Sequence, residues 1–158
     1  MRAEVSPAVL RDVLSRTLDE AAFVFAEAAG EPPELAGTLV EARLRFAGED
    51  GDELALAAGE GFASTLAANM LGEDEGGAAV TGDAADAVGE LLNMVAGVLA
   101  VELSGGAAPR GLGLPSVRRV GASACLRSLA AADVAVTLVE ETGRRIDLAL
   151  TRGPGARR

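Results

Sequence analysis

Histidine, lysine, tryptophan, tyrosine and glutamine are all missing from these 158 residues, and cysteine occurs once. Each absence removes a class of chemistry. Without histidine there is no Ser-His-Asp or Cys-His pair and no imidazole to hold a metal. Without lysine there is no Walker-type phosphate loop and no Schiff base. Cys125 stands alone, so it forms neither an internal disulfide nor a CxxC site. Set between Ala124 and Leu126 in a strand-like stretch, it reads as a small buried hydrophobe. Apart from the α-amino terminus, no group ordinarily titrates between pH 5 and 8. Long apolar runs are scarce too. The longest, around residues 94–101, contains Gly97 and is far short of the ~20 residues of a membrane span. Charges interrupt residues 1–20, so no signal-peptide stretch is expected there. These features predict a cytoplasmic protein with no membrane partner. The cations are all arginine, 14 against 24 acidic residues, for a net charge of −10. That balance repels phosphate backbones and argues against nucleic acid as a partner. An enzyme built from this alphabet works by positioning, or borrows its reactive groups.

What is present describes one globular unit. Hydrophobic residues make up 49% and charged residues 24%, ordinary values for a packed domain spanning residues 1–158, with residues 153–158 expected to fray. Ser6 followed by Pro7 signals a helix start. Leu10, Leu14, Leu18, Ala21, Phe25 and Ala28 then recur at helical spacing, and Gly30 with Pro32-Pro33 ends the run. The first helix is expected over residues 7–29. Val40, Ala42, Leu44 and Phe46 alternate with Leu39, Glu41, Arg43 and Arg45. After a turn at Gly48-Glu49-Asp50-Gly51, Leu54 and Leu56 resume the alternation, predicting a β-hairpin. A short helix follows over residues 59–71, stopped at Gly72, then an exposed acidic connector at residues 73–77. A long helix runs from just after Thr81 to about Leu103, stopped at Gly105-Gly106. Strands are expected near residues 116–120 and 122–126, and a hairpin closes the chain through Val134, Val136, Leu138, Ile146, Leu148 and Leu150. Arg118-Arg119 and Arg144-Arg145 read as exposed strand-end charges. The fold class is α+β: one sheet of about five or six strands packed against long helices, because amphipathic helices and alternating strands each need the other to bury a face.

The long helix carries the chemistry. With about 100° per residue from Glu90, Val88, Leu91, Leu92, Val95 and Leu99 share one arc, the core stripe. Asp83, Asp86, Glu90, Asn93 and Gly97 lie opposite, with Met94 and Val101 beside them. Ala85, Gly89, Ala96 and Ala100 form a flank of small residues suited to close approach by another helix. Glu90 and Asn93 are therefore neighbours one turn apart on an outward face. A carboxylate, a carboxamide and an apolar rim on one rigid helix suggest a docking surface; the alternative from spacing alone is a solvated helix face with incidental apolar residues. The chain has only two side-chain amides, Asn69 and Asn93. Asparagine is a mediocre residue in mid-helix, so position 93 invites a functional explanation, whereas Asn69 lies near a helix end.

The run Glu90-Leu91-Leu92-Asn93-Met94-Val95-Ala96-Gly97 resembles the E-x-x-N-M-x-x-G helix of the CheC/CheX/FliY chemotaxis phosphatases. Residues 67–73 and the run Leu114-Pro115-Ser116-Val117 resemble the CheX branch, and a single complete motif favours it over the two-motif CheC type. The resemblance implies a CheC/CheX-like fold and an aspartyl-phosphate phosphatase of two-component signalling, acting on a CheY-type response regulator. It implies that Mg²⁺ sits on the partner regulator and that the phosphatase has no cofactor or metal site of its own. Glu90 and Asn93 are the implied catalytic residues: Asn93 orients the attacking water, and Glu90 pairs with the regulator's active-site lysine. Asp86, Met94 and Gly97 are expected to contact the partner. The resemblance also implies a homodimer joined through the sheet. The alternatives are a non-catalytic receiver-binding adaptor and a structural component of a flagellar switch-like assembly.

Overall fold

The computed structural model describes residues 4–47, 51–71, 81–105 and 111–157. The first helix, α1 (Pro7–Ala22), starts where its cap requires: Ser6 Oγ accepts the Val9 N–H at 3.3 Å and Pro7 fills the first turn. Leu10, Val13, Leu14 and Leu18 are buried along one side. The helix ends earlier than expected. Phe23 adopts the left-handed conformation (φ 55°), its N–H reaching the Asp19 carbonyl while the Val24 N–H closes on Leu18 O at 3.0 Å. The bond from the Phe23 N–H to Asp19 O is the five-to-one closure of an αL stop. The apolar spacing runs past it because Val24 and Ala26 are also buried, but as extended chain. Ala26–Glu27 form the short strand β1, and Phe25 is exposed.

The expected hairpin follows as β2 (Thr38–Arg45) and β3 (Glu53–Gly59), then α2 (Glu60–Leu71), α3 (Thr81–Ser104) and β4 (Ser116–Gly121). The stretch expected as a strand at residues 122–126 is instead the first half of α4 (Ala122–Ala131). The signal was there: after Val120 no β-branched residue occurs until Val134, and alanine dominates the interval. Cys125 and Leu129, four apart, turn inward from α4 toward Leu39 and Ala57 of the sheet. The hairpin β5 (Val134–Glu140) and β6 (Arg145–Thr151) completes the sheet, and a 3-10 turn covers Pro154–Arg157. The Gly153 N–H donates to Asp52 Oδ1 at 2.9 Å. The expected features at residues 48–50, 72–77, 106 and 158 lie outside the described residues.

All six strands are antiparallel, in the order β1-β5-β6-β3-β2-β4. The register aligns Val117, Ala42, Leu56, Leu148 and Val136 in one row across the sheet. This face joins the core beneath α1, α2 and α3. The adjacent row, Arg118, Glu41, Ala57, Asp147 and Thr137, points to the other face. Its buried acids are paired within and across strands: Glu41 meets Arg43 of its own strand at 2.7 Å and Arg118 of β4 at 3.1 Å, and Asp147 meets Arg145 of its own strand at 2.9 Å and the Thr137 hydroxyl of β5 at 2.5 Å. Of the arginine pairs expected as exposed strand-end charges, Arg118 and Arg119 are exposed, Arg144 and Arg145 are partly buried, and all four make ion pairs or hydrogen bonds within the fold. Arg144 bonds Glu140 at 3.2 Å, the Gly61 carbonyl at 3.1 Å and Thr65 Oγ1 at 2.8 Å, and lies over the Phe62 ring, clasping the start of α2 to the β5–β6 turn. Arg119 pairs with Glu60.

Candidate functional site

Helix α3 is fixed by its apolar stripe. Val88, Leu91, Leu92, Val95 and Leu99 are all buried, as the helical phase predicts. Residues Asp83–Ser104 have the length and mean hydropathy, 1.5, of a helix able to cross a membrane; here that apolarity lines the core. Gly89 sets how closely β4 can lie alongside. A Cβ there would meet Val117 Cγ2 at 3.0 Å and Pro115 Cγ at 3.8 Å. The small-residue flank was expected to admit a helix, but at Gly89 the neighbour is the edge strand. Ala96 and Ala100 are buried.

The opposite stripe faces out. Asp86 and Glu90 are exposed, Asn93 and Gly97 are half-buried, and Met94 is 37% and Val101 60% exposed. Among the described residues, the side chains of Asp86, Glu90 and Asn93 have no hydrogen-bond or ion-pair partner. The contrast with the other amide is direct. Asn69 Nδ2 donates to the Ala22 carbonyl at 2.9 Å, satisfying one of the carbonyls left open at the end of α1. Gly97 is likewise unexplained by packing, since beyond its chain neighbours and the backbone of its own helix no described atom lies within 4 Å of the Cβ it lacks. A mid-helix glycine costs about 1 kcal/mol relative to alanine, so this one weakens the helix without easing an internal contact.

The buried charges are committed to the fold. On the other face a cleft of about 220 Å³ is lined by Glu41, Arg43, Glu53, Cys125, Ser128 and Asp147 among others. Burial alone would raise the Glu41 carboxyl, but hydrogen bonds and charge from Arg43, then Arg118, outweigh it and hold the group below its ordinary value. Glu140 is held down in the same way against its burial, by Thr142 and Arg144. Burial, with the Asp147 and Glu41 charges, pushes the Cys125 thiol up to about 11, which leaves it without nucleophilic character at neutral pH. Among the described residues no three His, Cys, Asp or Glu side chains gather as a metal site. On the outward stripe of α3 a carboxylate and a carboxamide one turn apart, Glu90 and Asn93, are left unused by the described fold.

Residues 40–137 match the family model of the chemotaxis phosphatase CheX. Among solved structures, a chemotaxis protein of Desulfovibrio vulgaris Hildenborough is 18% identical with a TM-score of 0.67, over 94% of this chain and 97% of that one. The CheX of a CheX–CheY–BeF₃–Mg²⁺ complex from Borrelia burgdorferi is 17% identical with a TM-score of 0.65, over 91% and 95%. FliY of Thermotoga maritima is 12% identical with a TM-score of 0.58, over 97% and 93%. A comparison with curated proteins finds no match. At these identities the structural likenesses show a shared fold.

Proposed function

The chain belongs to the CheX family of chemotaxis phosphatases, and from that premise we propose that it hydrolyses the phosphoaspartate of a CheY-type response regulator. One observation carries the reading: Glu90 and Asn93 stand one turn apart on the exposed stripe of α3, and neither side chain has a partner within the described structure. Asn93 enters the regulator's site, where its carboxamide accepts from and donates to one water and so fixes the direction of the lone pair that attacks phosphorus. Glu90 pairs with the regulator's active-site lysine and sets the register of the helix. Asp86, Met94 and Gly97 complete the contact. Phosphoryl transfer is accelerated largely by positioning and electrostatics, which suits a chain without histidine or lysine. Mg²⁺ belongs to the regulator, and this chain contributes side chains only. The Borrelia CheX–CheY–BeF₃–Mg²⁺ complex supports that division. The reading places the protein in the cytoplasm as a homodimer joined through the sheet, which light scattering at tens of micromolar checks.

The test is a panel of phosphorylated receivers, each followed for decay with Mg²⁺ in the presence and absence of the protein. Acceleration with one receiver, lost in Asn93→Ala, is the expected result; unchanged decay with every receiver overturns it. The fold shared with Thermotoga FliY favours a second reading, a receiver-binding adaptor or a component of a flagellar switch-like assembly. Binding that depends on phosphorylation but brings no rate selects the adaptor.

A further inference from the structure

Leu114 is 94% exposed, the most exposed large apolar side chain of the described residues. The edge strand explains how it comes to stand out. Phe46 bridges Leu112, and Arg43 pairs with Ser116. Three residues thus separate the paired positions on the edge, against two on β2. The extra residue is a bulge, the device by which edge strands re-aim a side chain. Both sides of the bulge are held. Upstream, the Gly113 N–H donates to Arg45 O and the Ala47 N–H to Gly111 O, each at 2.8 Å. Gly113 is packed so closely that a Cβ would come within 3.1 Å of the Arg45 carbonyl. Downstream, Pro115 and Val117 lie against α3 at Gly89, the residue before Glu90. Leu112 and Val117 pack on the core, and Leu114 between them does not. The leucine is therefore a fixed projection on the Gly89 side of the stripe that carries Asn93, while Met94 and Val101 rise on the other side.

We infer that Leu114 is an apolar anchor for the same receiver domain, docked across the α3 stripe. The inference rests on the function proposed above. The occupant follows from continuity: a receiver deep enough on the helix to meet Glu90 and Asn93 spans the turn at Gly89 and covers the bulge beside it. The chemistry is that of an interface centre, where a leucine presented without loss of backbone freedom adds burial and excludes water around the polar pair. Leu114 has no role in the chemical step, so it acts on affinity alone.

The test measures wild type, Leu114→Ser and Leu114→Met against the receiver found by the panel, by phosphoryl decay and by titration with the Mg²⁺-loaded, beryllofluoride-treated receiver. Leu114→Ser is expected to raise both the half-saturating concentration and the dissociation constant by on the order of tenfold, with the rate at saturation unchanged. Leu114→Met is expected to restore both. Circular dichroism of Leu114→Ser should match wild type, since an exposed side chain on a held backbone supports no packing. Affinity unchanged within about twofold overturns the anchor while leaving the proposed function standing. So does a fall in saturated rate at constant affinity. Wild type that neither binds nor dephosphorylates any receiver overturns the proposed function, and the anchor with it.

Discussion

Asn69 gives its Nδ2 proton to the Ala22 carbonyl at 2.9 Å, tying α2 to the last turn of α1, while Asn93 holds no such bond. The two amides of the chain therefore have separable effects. Asn93→Ala should lower the rate of receiver dephosphorylation on the order of 10²- to 10³-fold, as for loss of one transition-state-positioning group. Its stability should rise by a few tenths of a kcal/mol through helix propensity. Asn69→Ala should leave the rate near wild type and lower stability by about 1 kcal/mol, because the Ala22 carbonyl loses its donor. Denaturant unfolding and phosphoryl decay on the same two variants check this; exchanged effects would place the water-orienting role on the wrong amide.

Gly97 separates stability from function more sharply. A Cβ at this position would meet no described atom within 4 Å beyond its chain neighbours and its own helix backbone, so Gly97→Ala should stabilise the protein by up to about 1 kcal/mol. The added methyl stands on the stripe proposed to dock the receiver, and receiver affinity should therefore fall. A more stable variant with undiminished affinity would remove Gly97 from the contact.

Glu90→Ala should weaken binding and turnover together, since it removes a charge from across the interface rather than a group used only in the chemical step. The deficit should shrink as salt is raised, because the wild-type attraction is itself screened. Turnover lost with affinity intact would contradict the pairing with the regulator's lysine.

Much of this arrangement was legible in the sequence, for physical reasons that also mark where legibility stopped. The period of 3.6 in residues 88–99 is set by burial against the sheet, so it separates Leu91 and Leu92 from Glu90 and Asn93 without coordinates. The hairpins declared themselves because their two faces differ, apolar toward the helices and charged away from them. The end of α1 did not, because Phe23 takes the left-handed conformation usually left to glycine and Val24 and Ala26 continue the apolar spacing as extended chain. Helix α4 was hidden by its brevity and by the neighbouring strand. The pairing of Glu41 with Arg118, and of Arg144 with Thr65, depends on contacts distant in sequence that no local pattern encodes.

The second face of the sheet predicts the acid limb of stability. Burial works against the Glu41 carboxylate, and Arg43 and Arg118 more than offset it, so its folded value lies below the ordinary 4.5. A depressed value contributes stability above the unfolded pKa and loses it as pH falls through the folded one. Stability should therefore decline as pH drops below about 4.5, with Glu140 adding to the same limb. Glu41→Gln should lower stability at pH 7 by about 2 kcal/mol and flatten the decline. Denaturant titrations from pH 7 to the acid limb check both, and a variant with the wild-type slope would assign the limb elsewhere.

The strand order carries a kinetic consequence. Among the strand pairings only the two hairpins join strands adjacent in sequence. The remaining pairings join Ala26 to Glu140, Thr38 to Gly121 and Glu53 to Thr151, closures that must be made before their contacts reward them. Such a topology folds in milliseconds to seconds, slower than a helical bundle of the same size. Helix α3 belongs to the early, local part of the chain, yet β4 reaches its place beside Gly89 only when the distant pairing with β2 is made. The helix is thus expected to form before its frame does. In refolding, the helical signal should recover ahead of receiver dephosphorylation, and simultaneous recovery would show that the edge strand closes no later than the helices form.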